Sequence, residues 1–169
     1  DLTSGYDLRL TGATVQFNWN STETIQSSYP ISIDRWYHIA VTNDSGNYRL
    51  YIDGIEVSSP VAGIAPTTNA MASIVGAMDQ NNNPPNKPVN YYNGWMDELR
   101  IWSIALTQDQ IRQMMNQEID DNTLVRGVVV PLDITGLPWA DLEGYYRMDV
   151  LCGKLVAYKG LTGLLRNMD

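Results

Sequence analysis

WYHIAVTNDSGNYRLYIDGIEV, residues 36–57, decides the fold class. Tyr37, Ile39 and Val41 fall on one side of an extended chain, and Tyr48, Leu50 and Ile52 fall in phase on the next run. A period of two marks a strand with one wet and one dry face. The turn-rich Asn43–Asn47 separates these two runs, and Asp53-Gly54 separates the second from Ile55–Val57. Asp-Gly between alternating runs marks a two-residue hairpin, because both central residues of a type I′ turn need positive φ. Three consecutive antiparallel strands follow. Asp53 and Gly54 are therefore read as structural, and Trp36 as a core residue.

The alternation continues on both sides. Tyr6, Leu8 and Leu10 form one set, and Val15, Phe17 and Trp19 another. Met71–Ala77 reads as a short apolar strand, and YYNGWMDELRIWS (residues 91–103) as a longer one with Gly94 as a bulge or close-approach point. Residues 58–70 and Asp79–Pro88 read as loops, rich in Pro, Ser, Asn and Gly. The period changes once. Thr107 is followed three residues later by Gln110, a capping-box pattern, with Leu106 and Ile111 at the staple positions around it. Ile111, Met114 and Met115 share a face, which predicts a helix over Gln108–Gln117 packed on a sheet. Gly127–Asp133 (GVVVPLD) reads as a strand placed at an edge by Pro131, TGLPWAD after it as a turn, and Leu142–Val150 as a strand again. Many short strands, long polar loops and one short helix predict an all-β, two-sheet antiparallel sandwich.

Composition narrows the function classes. The 169 residues amount to one domain, and 44% of them are hydrophobic, enough for a core. The formal charge of −8 opposes binding to phosphate backbones and to anionic lipid surfaces, so neither nucleic acid nor a membrane is an expected partner. No apolar run approaches the roughly 18 residues of a membrane span. His38 and Cys152 are the only residues of their kinds, which rules out His/Cys zinc clusters and any intrachain disulfide. Cys152 reads as an inert small residue beside a turn. Ten Tyr and five Trp against one Phe favour half-exposed surfaces that meet sugars or proteins, although strands also use such residues. The chain opens on Asp1 without an initiator Met, and is expected to be a piece of a longer polypeptide.

Taken in order, residues 36–57 and YYNGWMDELRIWSIALTQDQI (residues 91–111) resemble the laminin-G-like, concanavalin A-like jelly roll. The first matches that family's Trp-x-His strand, hairpin, "DG" turn and return strand. The second resembles its "G-x-(I/M)-D-E-(V/L)-R-I" strand and the "A-L-(S/T)" helix start. The resemblance covers about residues 1–117 and implies a two-sheet jelly roll with one gently concave sheet. The family's opening strand is missing before Asp1, whereas GYYRMD (residues 144–149), Cys152-Gly153 and GLTGLLRNM (residues 160–168) look like one. The expected organisation is thus a unit over 1–119 lacking its opener, a linker or edge strand over 120–141, and 142–169 as closing strand or start of a following unit. Tandem units of this kind resemble large acidic surface adhesins of gliding bacteria, which implies an extracellular location on a bacterial cell surface and neighbouring domains in the same chain.

The resemblance directs attention to two residue sets. Tyr91, Tyr92, Trp95, Trp102 and Tyr51 are candidate platforms on which sugar rings would stack, with ordinary strand packing as the competing reading. Asp97 shares parity with Leu99 and Ile101, so a regular strand turns it to the core, while Glu98 shares a face with Arg100 and Trp102. A carboxylate on an apolar face needs backbone N–H groups, a cation or a metal. Either Asp97 is structural, or it belongs to a rim calcium site of the sort some family members carry, with Asp79, Asn81, Asn82 and Asn83 as co-ligands.

Catalysis fits poorly. Retaining glycosidases need two carboxyl groups about 5 Å apart. The glucanase relatives supply them from a Glu-x-Asp-x-Glu run that this chain lacks. Adjacent Asp97 and Glu98 face opposite ways on a strand, and His38 sits mid-strand. The expected function is non-catalytic adhesion, recognising glycan or protein at a loop rim. The alternatives are an architectural spacer, or a carbohydrate-binding module attached to a polysaccharide-degrading enzyme.

Overall fold

The computed structural model describes residues 5–20, 22–66, 73–79 and 88–148. The first sheet is the meander β1 (Tyr6–Thr11), β2 (Thr14–Trp19) and β3 (Glu23–Gln26). The second is built on β4 (Ile39–Asp44), β5 (Asn47–Ile52) and β6 (Ile55–Glu56), with β7 (Val61–Ala62) pairing on β5. Alternation puts Val15, Phe17, Trp19 and Ile25 of the first sheet against Tyr48, Leu50, Ile52 and Val57 of the second. The Trp19 and Tyr48 rings stack with centroids 3.9 Å apart, which fixes how the two layers meet. Val15, Phe17, Trp19, Tyr48, Leu50 and Ile52 of this core lie at positions that the sequence alternation places on one face.

The expected hairpin is present at Asp53-Gly54, with φ of 50° and 70°. A Cβ on Gly54 would fall 2.6 Å from the Cγ of Arg112, so the turn is pressed against the helix as well as left-handed. The Asp53 carboxylate accepts from the His38 N–H, and the Asp53 N–H donates to the His38 carbonyl. Trp36, expected in the core, precedes β4 in irregular chain and is 64% exposed; pairing begins only at Ile39.

Two short hairpin strands, β8 (Met78–Asp79) and β9 (Pro88–Val89), follow. Residues 73–77, expected as strand, are bends and coil ahead of β8, and the expected loop from Asp79 to Pro88 has those two residues as ladder partners. Next come β10 (Leu99–Trp102) and the helix α1 (Gln108–Met114). The capping box is complete: Thr107 Oγ1 accepts from the Gln110 N–H, and Gln110 Oε1 accepts from the Thr107 N–H.

Beyond α1, residues 119–138 form a second meander of β11 (Ile119–Asp120), β12 (Leu124–Gly127) and β13 (Asp133–Pro138). The expected strand over 127–133 is instead the tip of the β12–β13 hairpin, with Val128, Val129, Val130 and Leu132 exposed. Most of the expected turn at TGLPWAD belongs to β13 and a single 3-10 turn at Trp139–Asp141. β14 (Leu142–Tyr146) then pairs antiparallel with β10. Met114, Ile119, Val125, Ile134, Leu137, Leu142 and Tyr145 make a second core beneath α1 and the meander. Asp149 and the residues after it lie outside the described residues.

Candidate functional site

The stretch between β9 and β10 is where the sequence expectation and the structure part most usefully. YYNGWMDELRIWS was expected as one strand, but only Leu99–Trp102 pairs; residues 91–98 run as irregular chain. Left-handed residues bracket it, Asn90 at φ 50° and Glu98 at φ 55°, and each reverses the face that an extended chain would present. A backbone bond from the Tyr92 N–H to the Gly76 carbonyl, 2.7 Å long, ties the stretch to the chain before β8.

Freed from pairing, the side chains open outward. Trp95 is 79% exposed, Tyr91 53% and Tyr92 41%, with Met96 exposed beside them. Gly94 is indeed a close-approach point: a Cβ there would lie 2.7 Å from the Tyr92 ring, so the ring rests on the glycine backbone. Three of the five expected platform residues are thus brought into one exposed segment. The other two are corrected. Tyr51 is buried at 4% exposure on β5, a strand paired on both edges. Trp102 is half-buried against the second core, on the side of β10 that meets α1 and the meander. Met96 was missed in sequence, where an apolar residue in a presumed strand gives no sign of exposure.

The parity argument for Asp97 also fails, for the same reason. Glu98 takes a positive φ, β10 starts after it, and Asp97 is exposed with its Oδ1 accepting from the Glu98 N–H at 2.9 Å. The strand then runs in the opposite phase to that expected: Ile101 is exposed, and the Arg100 side chain is 7% exposed. Of the remaining calcium candidates, Asp79 lies in β8, whereas Asn81, Asn82 and Asn83 lie outside the described residues. Among the described residues no three His, Cys, Asp or Glu side chains gather. The Asp97 carboxylate serves its own turn.

Where the exposed segment runs into β10 lies a polar cluster that sequence reading did not find. The Arg100 guanidinium pairs with the Glu98 carboxylate and donates to the carbonyls of Met114, at 2.9 Å, and Gln117, at 2.5 Å. The Met114 carbonyl is at the end of α1, where helix acceptors lack intrahelical donors, and Gln117 lies in the turn after it. Tyr145 donates to Glu98 Oε2 at 2.7 Å and accepts from the Ile119 N–H, while Arg100 and Arg147 lie over its ring at 5.3 and 5.5 Å. Burial, together with the Glu98 hydrogen bond, raises the Tyr145 phenol above its ordinary range. Burial first, and the Arg100 charge second, hold the His38 imidazole down at about 4, against a weaker opposing pull from Asp53. His38 is thus neutral at physiological pH, with a buried Nδ1 that has no partner among the described residues.

As chemistry, this arrangement offers exposed aromatic faces with Asn90, Asn93 and Asp97 alongside, over a carboxylate already committed to Arg100 and Tyr145. The Arg100 guanidinium of that cluster is buried and engaged, and Arg147 pairs with Glu118. Among the described residues no helix is long and apolar enough to cross a membrane.

Similarity to known proteins agrees with this architecture. The chain resembles a solved structure titled a "putative carbohydrate binding protein" from Bacteroides ovatus, at 19% identity and a TM-score of 0.57, over 96% of this chain and 47% of that one. An S-layer domain-containing protein from Clostridium thermocellum matches at 22% identity and a TM-score of 0.40, over 61% of this chain and 52% of that one. The chain spans about half the length of each. A model of the laminin G-like family matches residues 2–112, and the chain accordingly belongs to the concanavalin A-like lectin/glucanase superfamily.

Proposed function

We propose that this domain is a non-catalytic, extracellular binding module that recognises neutral glycans through Tyr91, Tyr92 and Trp95. The observation that carries the reading is the 79% exposure of Trp95, flanked by two exposed tyrosines in a segment held out of the sheets. An indole left in water without a partner exposes one of the largest apolar surfaces a protein can present. Pyranose rings offer a matching apolar C–H face and hydroxyls that Asn and Asp side chains can meet. Charge selects among sugars: the protein carries −8 overall, Asp97 is exposed beside the platform, and Arg100 is spent on Glu98 and two carbonyls. Among the described residues an anionic sugar would meet a carboxylate and no free guanidinium, which favours neutral chains over sialylated or sulfated ones.

A binding role rather than a catalytic one is supported by the state of the titratable groups. Glu98 is tied by Arg100 and Tyr145, Asp97 by its own turn, and His38 is a buried neutral imidazole. Adhesion as part of a longer surface protein is the biological setting this reading implies.

The test is retention of the protein on immobilised neutral polysaccharides, sulfated polysaccharides and mucin, with calcium in one arm and chelator in the other. Retention on a neutral polymer in both arms, lost in Trp95→Ala, is the expected result. Retention abolished by chelator would make Asp97 and Asn81–Asn83 calcium ligands. No retention on any polymer by folded protein would favour the spacer reading.

A further inference from the structure

We infer that a trough between β3 and the Ser58–Val61 segment is a second subsite, taking one or two neutral sugar rings or a comparable polyol. It rests on residues that the aromatic segment does not use. The cavity measures about 430 Å³, at the lower end of the range for small-molecule sites. Ile25 and Val61 provide apolar surface, and Ser28, Ser58 and Ser59 bring hydroxyls to its walls.

Two features mark it as more than a gap between elements. Ser58 Oγ is shut off from solvent and has no hydrogen-bond partner among the described residues, a cost that a ligand hydroxyl would remove once the Ser58 hydroxyl turns about χ1 into the trough. Ser27 on the opposite wall is by contrast satisfied, donating to the Tyr29 carbonyl and accepting from the Val15 N–H. The second feature is backbone. β3 is an edge strand, and the Ser27 N–H points inward to the Val15 carbonyl, whereas the Ser28 N–H points outward to the Val57 carbonyl. Alternation then turns the amide groups of Thr24 and Gln26 outward as well, along the trough.

The shape selects the ligand class. The Ser28 N–H to Val57 carbonyl bond, 2.9 Å long, closes one end. At the other, Gly63 sits so near Trp19 and Glu23 that a Cβ would lie 2.8 and 2.9 Å from them. A trough stopped at both ends suits a compact ring better than a through-running peptide strand. The residues lining it carry no charged side chain, and the Glu23 carboxylate stands only at the Gly63 end, so a neutral polyhydroxy ligand meets mainly hydroxyls, amides and an apolar surface.

Amide chemical shifts of the whole protein, titrated with methyl β-glucoside, methyl α-mannoside, methyl β-galactoside and myo-inositol, test this directly. At least one probe is expected to shift the Thr24, Gln26, Ser58 and Ser59 amides saturably. Ser58→Val should weaken that titration about tenfold, and the exposed pair Ser28→Ala with Ser59→Ala supplies the same test if Ser58→Val does not fold. Trp95→Ala should leave it unchanged, which separates this subsite from the aromatic one. Absence of saturable shifts with every probe would overturn the inference. So would shifts indifferent to these serine variants, or saturation by an extended Val-Thr hexapeptide instead.

Discussion

Replacing Arg100 by Met keeps most of the side-chain stem and removes the guanidinium. The Arg100 side chain is 7% exposed and that of Glu98 25%, so their pair is largely withdrawn from water. Removal leaves the Glu98 carboxylate with the Tyr145 hydroxyl at 2.7 Å, takes the Arg100 donor from the Gln117 carbonyl, and leaves the Met114 carbonyl with only the Gln117 N–H at 3.3 Å. Breaking a buried pair from one side costs about 3–5 kcal/mol, because the surviving charge stays behind. Glu98 retains one good hydrogen bond and some solvent, which places the expected loss near the lower end, about 3 kcal/mol. For a domain of this size that is a drop of roughly 6–12 °C in Tm. Urea unfolding followed through tryptophan fluorescence measures it, and adding Glu98→Gln should recover part of the loss by removing the stranded charge. A variant within about 0.5 kcal/mol of wild type would refute the claim that this cluster joins β10, β14 and the end of α1.

Other perturbations probe separate parts of the account. His38 sits at about 4 when folded, against 6.5 as its ordinary value, so the unfolded chain binds more protons between those limits. The His38 contribution to stability is therefore complete above pH 6.5 and declines as pH falls toward 4; His38→Gln should flatten that slope in unfolding curves taken across the window. Gly54→Ala meets both a positive φ and the Arg112 stem, and should cost about 1–3 kcal/mol by thermal unfolding. Gly94→Ala should behave differently. Its new Cβ displaces the flexible Tyr92 ring rather than backbone, so stability should change little while glycan retention falls.

Much of the sandwich was legible in sequence because its information is local. Alternation named Val15, Phe17, Trp19, Leu50 and Ile52 as core, Asp53-Gly54 announced its turn, and Thr107 with Gln110 announced the helix start. The failures along residues 91–101 share one cause. Residues 91–98 alternate well enough to read as strand, yet positive φ at Asn90 and Glu98 breaks the phase, and no residue type there demands it as Gly would. That single break exposed Asp97 and Ile101, buried Arg100, and released Tyr91, Tyr92 and Trp95 to solvent. Tyr51 and Trp102 were unreadable for another reason: whether a half-polar aromatic is covered depends on the layer above it, which period-two reasoning about one strand does not contain. Trp36 failed in the opposite sense, since its strand starts three residues later than the apolar pattern does.

The most direct test of the central claim is isothermal titration of the best-retained neutral oligosaccharide into wild type, Trp95→Ala and Trp36→Ala. Both tryptophans are strongly exposed, so neither substitution should disturb the fold. Losing one stacking surface of indole size is worth about 1–2 kcal/mol, or roughly five- to thirtyfold in Kd. The account predicts that weakening for Trp95→Ala and wild-type affinity for Trp36→Ala. Equal affinity for all three proteins would contradict it.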